Sequence, residues 1–121
     1  MPTIVHIDVA AEDPERAKKF YESCFGWKFQ PTTMNYYLFT TSGLKGEPGV
    51  AGGLGKRMDP GQKITAYIGV DSIDKAAAKI KKSGGKEIQG KMPVPGFGYV
   101  ASYLDTEGNM FGLWEAAETA K

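Results

Sequence analysis

The sequence contains few of the residues that build reactive or metal-bound sites. Its 121 residues include one histidine, His6, and one cysteine, Cys24. A single cysteine excludes an internal disulfide and favours a reducing compartment. A single histidine excludes any site that needs two imidazoles, such as the triad of two histidines and one carboxylate that binds iron.

Neither an excess of one charge nor a long apolar run is present. Fifteen basic and 14 acidic residues leave a formal net charge of +1, and no Lys/Arg run indicates nucleic-acid binding. No apolar run reaches the ~18 residues of a membrane span, and the N-terminus lacks the apolar region of a signal peptide. We therefore expect one cytoplasmic domain, residues 1–121, with no nucleic-acid or membrane partner.

Glycine, in contrast, is abundant, with 16 residues. Many lie in the segment 42–61, and others in PVPGFGY (93–99). Such segments are typical of turns and close backbone approaches, and long glycine-rich loops often serve binding sites. We expect the stretch KMPVPGFGY (91–99) to be a loop that forms a pocket lid or a dimer contact.

The hydrophobic periodicity predicts the order β-α-β-β-β twice. A strand at 3–10 precedes a helix at 12–25 that Asp13 caps and Gly26 ends. A second helix is predicted at 71–85, with Asp71 or Ser72 as its cap. The remaining strands are predicted at 27–30, 35–41, 49–57, 63–70, 86–90, 99–105 and 109–116, with a tight turn at DTEGN (105–109).

The two halves of this pattern keep one offset along the chain. Gly26 and Gly85 are 59 residues apart, and so are the similar residues in the pairs Ala17/Ala76, Phe29/Ile88, Gly53/Gly112 and Leu54/Leu113. A constant offset from the first helix to the last strand indicates a duplicated module. The predicted modules are 1–58 and 59–121.

The runs IVHIDVAAEDPERAKKFYESCFGWKF, GVAGGL, YIGVDSIDKAAAKIKKSGGK and PVPGFGYVASYLDTEGNMFGLWE cover nearly the whole chain. Together they resemble the glyoxalase/bleomycin resistance/extradiol dioxygenase superfamily, the vicinal oxygen chelate proteins. Within it, the sequence is most similar to small proteins related to lactoylglutathione lyase. The resemblance implies an α+β fold in which two βαβββ modules form a cupped, partly open barrel with helices outside. It also implies a homodimer.

In metal-dependent relatives the first and last strands of each module supply four ligands, and the resemblance places them here at His6, Gly53, Thr65 and Gly112. The repeat agrees, because these residues are two pairs 59 apart. Only His6 among them is a good ligand for a divalent metal. We therefore expect no cofactor, while weak metal binding by His6, with Asp8 on the same strand face, stays open.

Without the metal, we expect an apolar and aromatic pocket with a few polar groups. His6 and Asp8 are the candidate catalytic residues, and the candidate ligand-binding residues are Thr65, Tyr67, Met110, Trp114, Tyr37 and Phe97. Tyr36 is an alternative to Tyr37, and Tyr99 or Tyr103 is expected to join the lining. The alternative for His6 is a structural role, and for the aromatic residues plain packing. Cys24 is expected to be a buried thiol.

Two functions follow. The first is an enzyme like a lyase or isomerase that binds a small organic molecule, with His6 as general acid or base, and is neither a true glyoxalase I nor an extradiol dioxygenase. The second is a resistance-type protein that binds a drug or metabolite without chemistry. A degenerate module that serves only assembly is a third possibility.

Overall fold

The computed structural model describes residues 2–32 and 36–120, which form two compact units. The first unit is His6–Thr65, and the second comprises the residues up to Val5 together with those from Ala66 onward. The elements are β1 (Ile4–Ala11), α1 (Pro14–Phe25), β2 (Lys28–Pro31), β3 (Tyr37–Thr40), β4 (Ala51–Lys56), β5 (Ile64–Gly69), α2 (Ile73–Lys82), β6 (Lys86–Val94), β7 (Gly98–Leu104) and β8 (Met110–Ala116). This order confirms the α+β class and the two βαβββ modules. The predicted strand at 35–41 starts at Asn35, which lies outside the described residues.

In the first unit the strands are ordered β2-β3-β4-β1, and β1 pairs with β4 in parallel. One face of these strands carries the core of the unit. Its buried residues are Val9, Ala11, Phe39 and Leu54, and the partly buried residues packed against them include Ala17 and Tyr21 of α1. The helix therefore covers one face of the strands and leaves the other face to different side chains.

The ends of α1 lie where the sequence predicts them. The Asp13 side chain accepts a hydrogen bond from the Arg16 backbone N–H, and Gly26 follows the helix with a left-handed φ of 70°. The prediction of a buried Cys24 is wrong, because this side chain is exposed. Helical periodicity places Cys24 on the same apolar face of α1 as Tyr21. The strands packed against α1 cover only part of that face, and Cys24 lies outside the covered part.

The second unit repeats this arrangement, with strand order β5-β8-β7-β6 and a parallel β5–β8 pair. Ser72, not Asp71, caps α2 through a hydrogen bond from the Lys75 backbone N–H. The core residues are Ile73, Ala101, Tyr103 and Leu113. Neither helix of the described residues is both long and apolar enough to cross a membrane.

Strand register supports the internal repeat. Asp8 pairs with Gly53 in the first unit, and Tyr67 pairs with Gly112 in the second, so both partners are shifted by 59 residues. The same shift relates the pairs Val9/Leu54 and Ile68/Leu113, and Ala10/Gly55 and Gly69/Trp114. The boundary at residues 58 and 59 stays a prediction about the repeat, since the compact units divide after Thr65.

The stretch 91–99 is not a loop, as the sequence predicted, but a β-hairpin. Strand β6 continues to Val94 and pairs with β7 through Met92/Val100, Pro93/Tyr99 and Val94/Gly98. Gly96, with φ of 83°, permits the tight turn between them. Pro93 has no N–H to donate, and β6 tolerates it because this strand ends the strand order of its unit.

Candidate functional site

His6 and Asp8 form the centre of the candidate site on β1. Two residues apart on one strand, they share a face, and His6 Nε2 lies 2.8 Å from Asp8 Oδ1. Their side chains are 32% and 33% exposed, so a small molecule can reach both. An ionised carboxylate only accepts hydrogen bonds, so Nε2 carries the proton of this contact whenever Asp8 is charged.

Tyr36, immediately before β3, completes the cluster. Its hydroxyl donates a hydrogen bond to Asp8 Oδ1 at 2.9 Å, the same oxygen that contacts His6. Among the described residues, no hydrogen bond reaches the other carboxylate oxygen, Oδ2. We call these three residues the His6–Asp8–Tyr36 cluster; from the sequence, Tyr36 was only the alternative to Tyr37.

Tyr37, predicted as a ligand-binding residue, lies on the opposite face of β3. It packs against the core of the first unit, and its hydroxyl donates a hydrogen bond to Glu15 of α1. That hydrogen bond raises the pKa of the Tyr37 hydroxyl. Alternation along the strand allows only one of the two neighbouring tyrosines to join Asp8, and the structure selects Tyr36.

Two glycines of β4 make room for the Tyr36 ring. A Cβ built on Gly53 would overlap the Tyr36 hydroxyl and lie 2.9 Å from Asp8 Oδ1. A Cβ built on Gly55 would lie 2.8 Å from Tyr36 Cδ1. Glycines two residues apart leave one strand face bare, and this pattern was the sequence signal for a large side chain above them.

In the second unit, three of the predicted ligand-binding residues lie on β5 and β8. The Tyr67 ring lies over Gly112, where a Cβ would overlap its Cδ2 and Cε2 atoms. The Trp114 ring lies over Gly98, where a Cβ would be 2.8 Å from Cη2. Met110, on the same face of β8 by alternation, is 39% exposed. These side chains give that face an apolar, largely aromatic surface.

The other residues predicted to line the pocket lie in three different places: a turn, a buried position and the core of the second unit. Phe97 lies in the hairpin turn and is 69% exposed, and Thr65 is buried at 4%. Neither Tyr99 nor Tyr103 joins the face of Trp114. Both belong to the core cluster with Ile73 of α2, because residues four apart on a strand share a face.

A cleft in the second unit has Trp114 as one wall. Its volume is about 370 Å³, and it lies at the carboxyl ends of the parallel strands β5 and β8. The other lining residues are Pro2, Gly69, Val70, Asp71 and Ala116. The cleft places Trp114 beside open space, which is compatible with the predicted ligand contact.

The residues at the expected ligand positions do not fit a divalent metal. Gly53 and Gly112 offer no donor atom, and each lies beneath a tyrosine ring. Thr65 offers a weak donor, and Oδ1 of the nearby Asp8 is already used by the cluster. Within residues 2–32 and 36–120, no group of three or more His, Cys, Asp or Glu side chains could hold a metal ion.

Comparison with known proteins identifies the family. The profile of the glyoxalase/bleomycin resistance protein/dioxygenase superfamily matches residues 3–113. The chain belongs to this superfamily, as its motifs indicated.

Individual relatives agree with that assignment. A glyoxylase-like domain-containing protein of Didymella fabae is 33% identical over 118 residues, covering 88% of each chain. A methylmalonyl-CoA epimerase solved with methylmalonyl-CoA and NH4+ has a TM-score of 0.71 at 19% identity, over 100% of this chain and 99% of that one. A Streptomyces coelicolor methylmalonyl-CoA epimerase variant has a TM-score of 0.68 at 20% identity, over 94% and 96% of the two chains. These two structures show the fold.

Proposed function

We propose that this protein binds a small organic molecule on the face that carries the His6–Asp8–Tyr36 cluster and catalyses a proton transfer on it. The reaction would be of the lyase or isomerase type, and it would use no metal. The observation that carries the proposal is the 2.8 Å contact between His6 and Asp8, with both side chains about one-third exposed.

The geometry suits general acid–base catalysis. A carboxylate bonded to an imidazole orients the ring and stabilises its protonated form. Histidine has an ordinary pKa near the working pH of most enzymes, so it can both accept and donate a proton. The contact of Asp8 with Nε2 fixes the orientation of the ring that takes up and releases the transferred proton.

The proposal departs from the metal chemistry of many relatives because of the donor atoms that are present. A metal at the expected position would have one strong protein ligand, His6, whereas such sites generally use three or four. The chemistry proposed here therefore depends on the protein's own side chains, and substrate orientation comes from Asp8 and Tyr36.

A second candidate function is ligand binding without catalysis. Both hydrogen bonds to Asp8 from the described residues fall on Oδ1, and the side chain is 33% exposed, so Oδ2 can pair with a cationic ligand. The Tyr36 ring beside it would pack against an aromatic group of that ligand. This arrangement favours an organic cation over an anion.

One set of variants separates the two functions. A thermal-shift screen with small carbonyl metabolites and aromatic cationic drugs identifies compounds that bind, and each binder is then tested for turnover. For an enzyme, His6→Ala should lower turnover by about 10²–10⁴-fold while affinity changes little. Tyr37→Phe, on the opposite face, is the matched control. Binding without turnover in the wild type supports the second function, and no binder among either compound class counts against both.

A homodimer is also proposed, on the ground of the family resemblance. The exposed apolar side chains Phe20 and Phe25 on α1, at 57% and 64%, are compatible with an interface. Sedimentation equilibrium over a hundredfold range of concentration tests this proposal. A monomer at every concentration would contradict it.

A further inference from the structure

The Tyr36 ring occupies a place on β4 that any side chain at residue 53 would need. A Cβ on Gly53 would overlap both the hydroxyl oxygen and Cζ of Tyr36. Real Cβ atoms do not approach another heavy atom that closely, so an alanine at 53 and Tyr36 in its present position exclude each other. The glycine at this expected ligand position is therefore sterically linked to Tyr36.

Packing over glycine does not by itself explain Tyr36. In the second unit the Tyr67 ring covers Gly112, but there the overlapping atoms are ring carbons. In the first unit the atom nearest to a Cβ on Gly53 is the hydroxyl oxygen, followed by the ring carbon Cζ, and that hydroxyl donates to Asp8. A phenylalanine would cover the glycine equally well, so the hydroxyl adds a polar contact that packing does not require.

The polar contact restrains Asp8. A carboxylate that is one-third exposed can rotate, but two donors on one oxygen, from Tyr36 and His6, hold Oδ1 in a fixed direction. Because Asp8 pairs with Gly53 across the parallel strands, a side chain at 53 would also crowd this oxygen directly.

We infer that Tyr36 is a positioning residue that holds the Asp8 carboxylate against His6, and that Gly53 is glycine in order to admit it. The inference deepens the proposed function and rests on it, because it assigns Tyr36 to the same site. The resemblance places a ligand side chain on β4 at residue 53, whereas here the side chain above that residue is Tyr36, immediately before β3.

The single histidine makes a direct test possible. Nitrogen-15 NMR of the imidazole reports the tautomer and hydrogen bonding of His6 with no overlap from other histidines. Tyr36→Phe removes only the oxygen, and it should shift the His6 nitrogen resonances. Gly53→Ala displaces the whole ring and should shift them in the same direction. Unchanged resonances in Tyr36→Phe would overturn the inference.

Two variants in the same unit serve as matched controls. Tyr37→Phe also removes a hydroxyl bonded to a carboxylate, but on the opposite face, and it should leave His6 unchanged. Gly61→Ala adds a methyl group at a turn, where the nearest atom is an Asp59 oxygen at 3.4 Å, and it too should leave His6 unchanged. A shift of equal size in either control would show a general disturbance and contradict the positioning role.

A double-mutant cycle covers the case in which Gly53→Ala destabilises the protein too strongly for NMR. The melting temperature lost through Gly53→Ala should be much smaller in a Tyr36→Ala background, because the overlapping atoms are then absent. Equal losses in both backgrounds would contradict the steric link. Neither measurement needs a ligand, so the inference can fail while the proposed binding function stands, and the reverse.

Discussion

The hydroxyl of Tyr36 occupies the space above Gly53, where a Cβ built on the glycine would overlap it. This relationship changes the chemistry of a place that the family resemblance assigns to a metal ligand. Instead of a metal-ligating side chain from β4, the first unit presents the Tyr36 phenol, which donates a hydrogen bond to Asp8.

Metal ions should be unnecessary for the stability of the protein and for the binding of its ligand. Dialysis against a chelator should leave the melting temperature unchanged, because His6 alone offers too few ligands for a tight site. Calorimetric titration with zinc, nickel and manganese should show no saturable one-to-one binding. A one-to-one complex that disappears in His6→Ala would contradict the metal-free proposal.

Leu54 should be a major contributor to the stability of the first unit. It is 1% exposed and belongs to the core cluster with Val9 and Phe39. Leu54→Ala should lower the free energy of unfolding by about 2–5 kcal/mol, since it leaves a cavity in packed surroundings. Leu44→Ala is the matched control, because Leu44 is fully exposed and its loss should change stability by less than about 0.5 kcal/mol. Equal effects in a denaturant titration would contradict the assigned core.

Gly26 should resist substitution although there is space for a side chain. A Cβ there meets nothing within 4 Å, but its φ of 70° is left-handed. Gly26→Ala should therefore cost about 1–2 kcal/mol of folding free energy through backbone strain alone. Gly61→Ala, at a position without a left-handed φ, should cost less in the same urea titration. A larger cost for Gly61→Ala would contradict the capping role of Gly26.

Much of the fold could be predicted from the sequence because local chemistry determines it. Asp13 and Gly26 bound α1, and the offset of 59 residues appears in the strand register. The hairpin at 91–99 was missed because two prolines and two glycines also fit a loop. Only the pairing of β6 with β7 distinguishes the two.

The site was less predictable because it depends on the strand face to which each side chain points. The exposure of Cys24 was missed for a related reason, since it depends on how much of α1 the strands cover. The sequence placed His6 and Asp8 together correctly, since alternation on a single strand decides that. It named Tyr37 ahead of Tyr36, because the start of β3, which sets the alternation, is not fixed by the sequence pattern. Gly53 and Gly55 indicate that a large side chain lies above them, but only the register of β4 with its neighbouring strands shows that this side chain is Tyr36.

Asp105 should make stability depend on pH in the acid range. Its carboxylate accepts hydrogen bonds from the Asn109 backbone N–H at 2.9 Å, the Asn109 side-chain amide at 3.1 Å and the Glu107 backbone N–H at 2.8 Å. These bonds, led by that from the Asn109 backbone, hold the pKa of Asp105 below its ordinary value of 3.8. The charged form is therefore favoured by folding.

A depressed pKa in the folded protein sets the sign of this effect. The stabilisation is fully present above the ordinary value of 3.8 and is lost as the pH falls through the lower folded value. Wild type should therefore be more stable than Asp105→Asn at neutral pH, and the gap in melting temperature should shrink as the solution is acidified. Asn109→Ala removes one of the three donors. In that background, the difference in melting temperature caused by Asp105→Asn should be smaller than in the wild type. A gap that widens in acid would contradict the assigned hydrogen bonds.

Cys24 should react readily in the native protein, contrary to the expectation from helical periodicity. Its side chain is exposed on α1, so a thiol reagent can reach it without unfolding. The rate of reaction with Ellman's reagent should be within about tenfold of the rate in denaturant, since no opening step is needed. Because Cys24 is the sole cysteine, Cys24→Ser should abolish the signal and serve as the blank. Native protection of a hundredfold or more would show that this side of α1 is covered in solution, for example by a second copy of the chain.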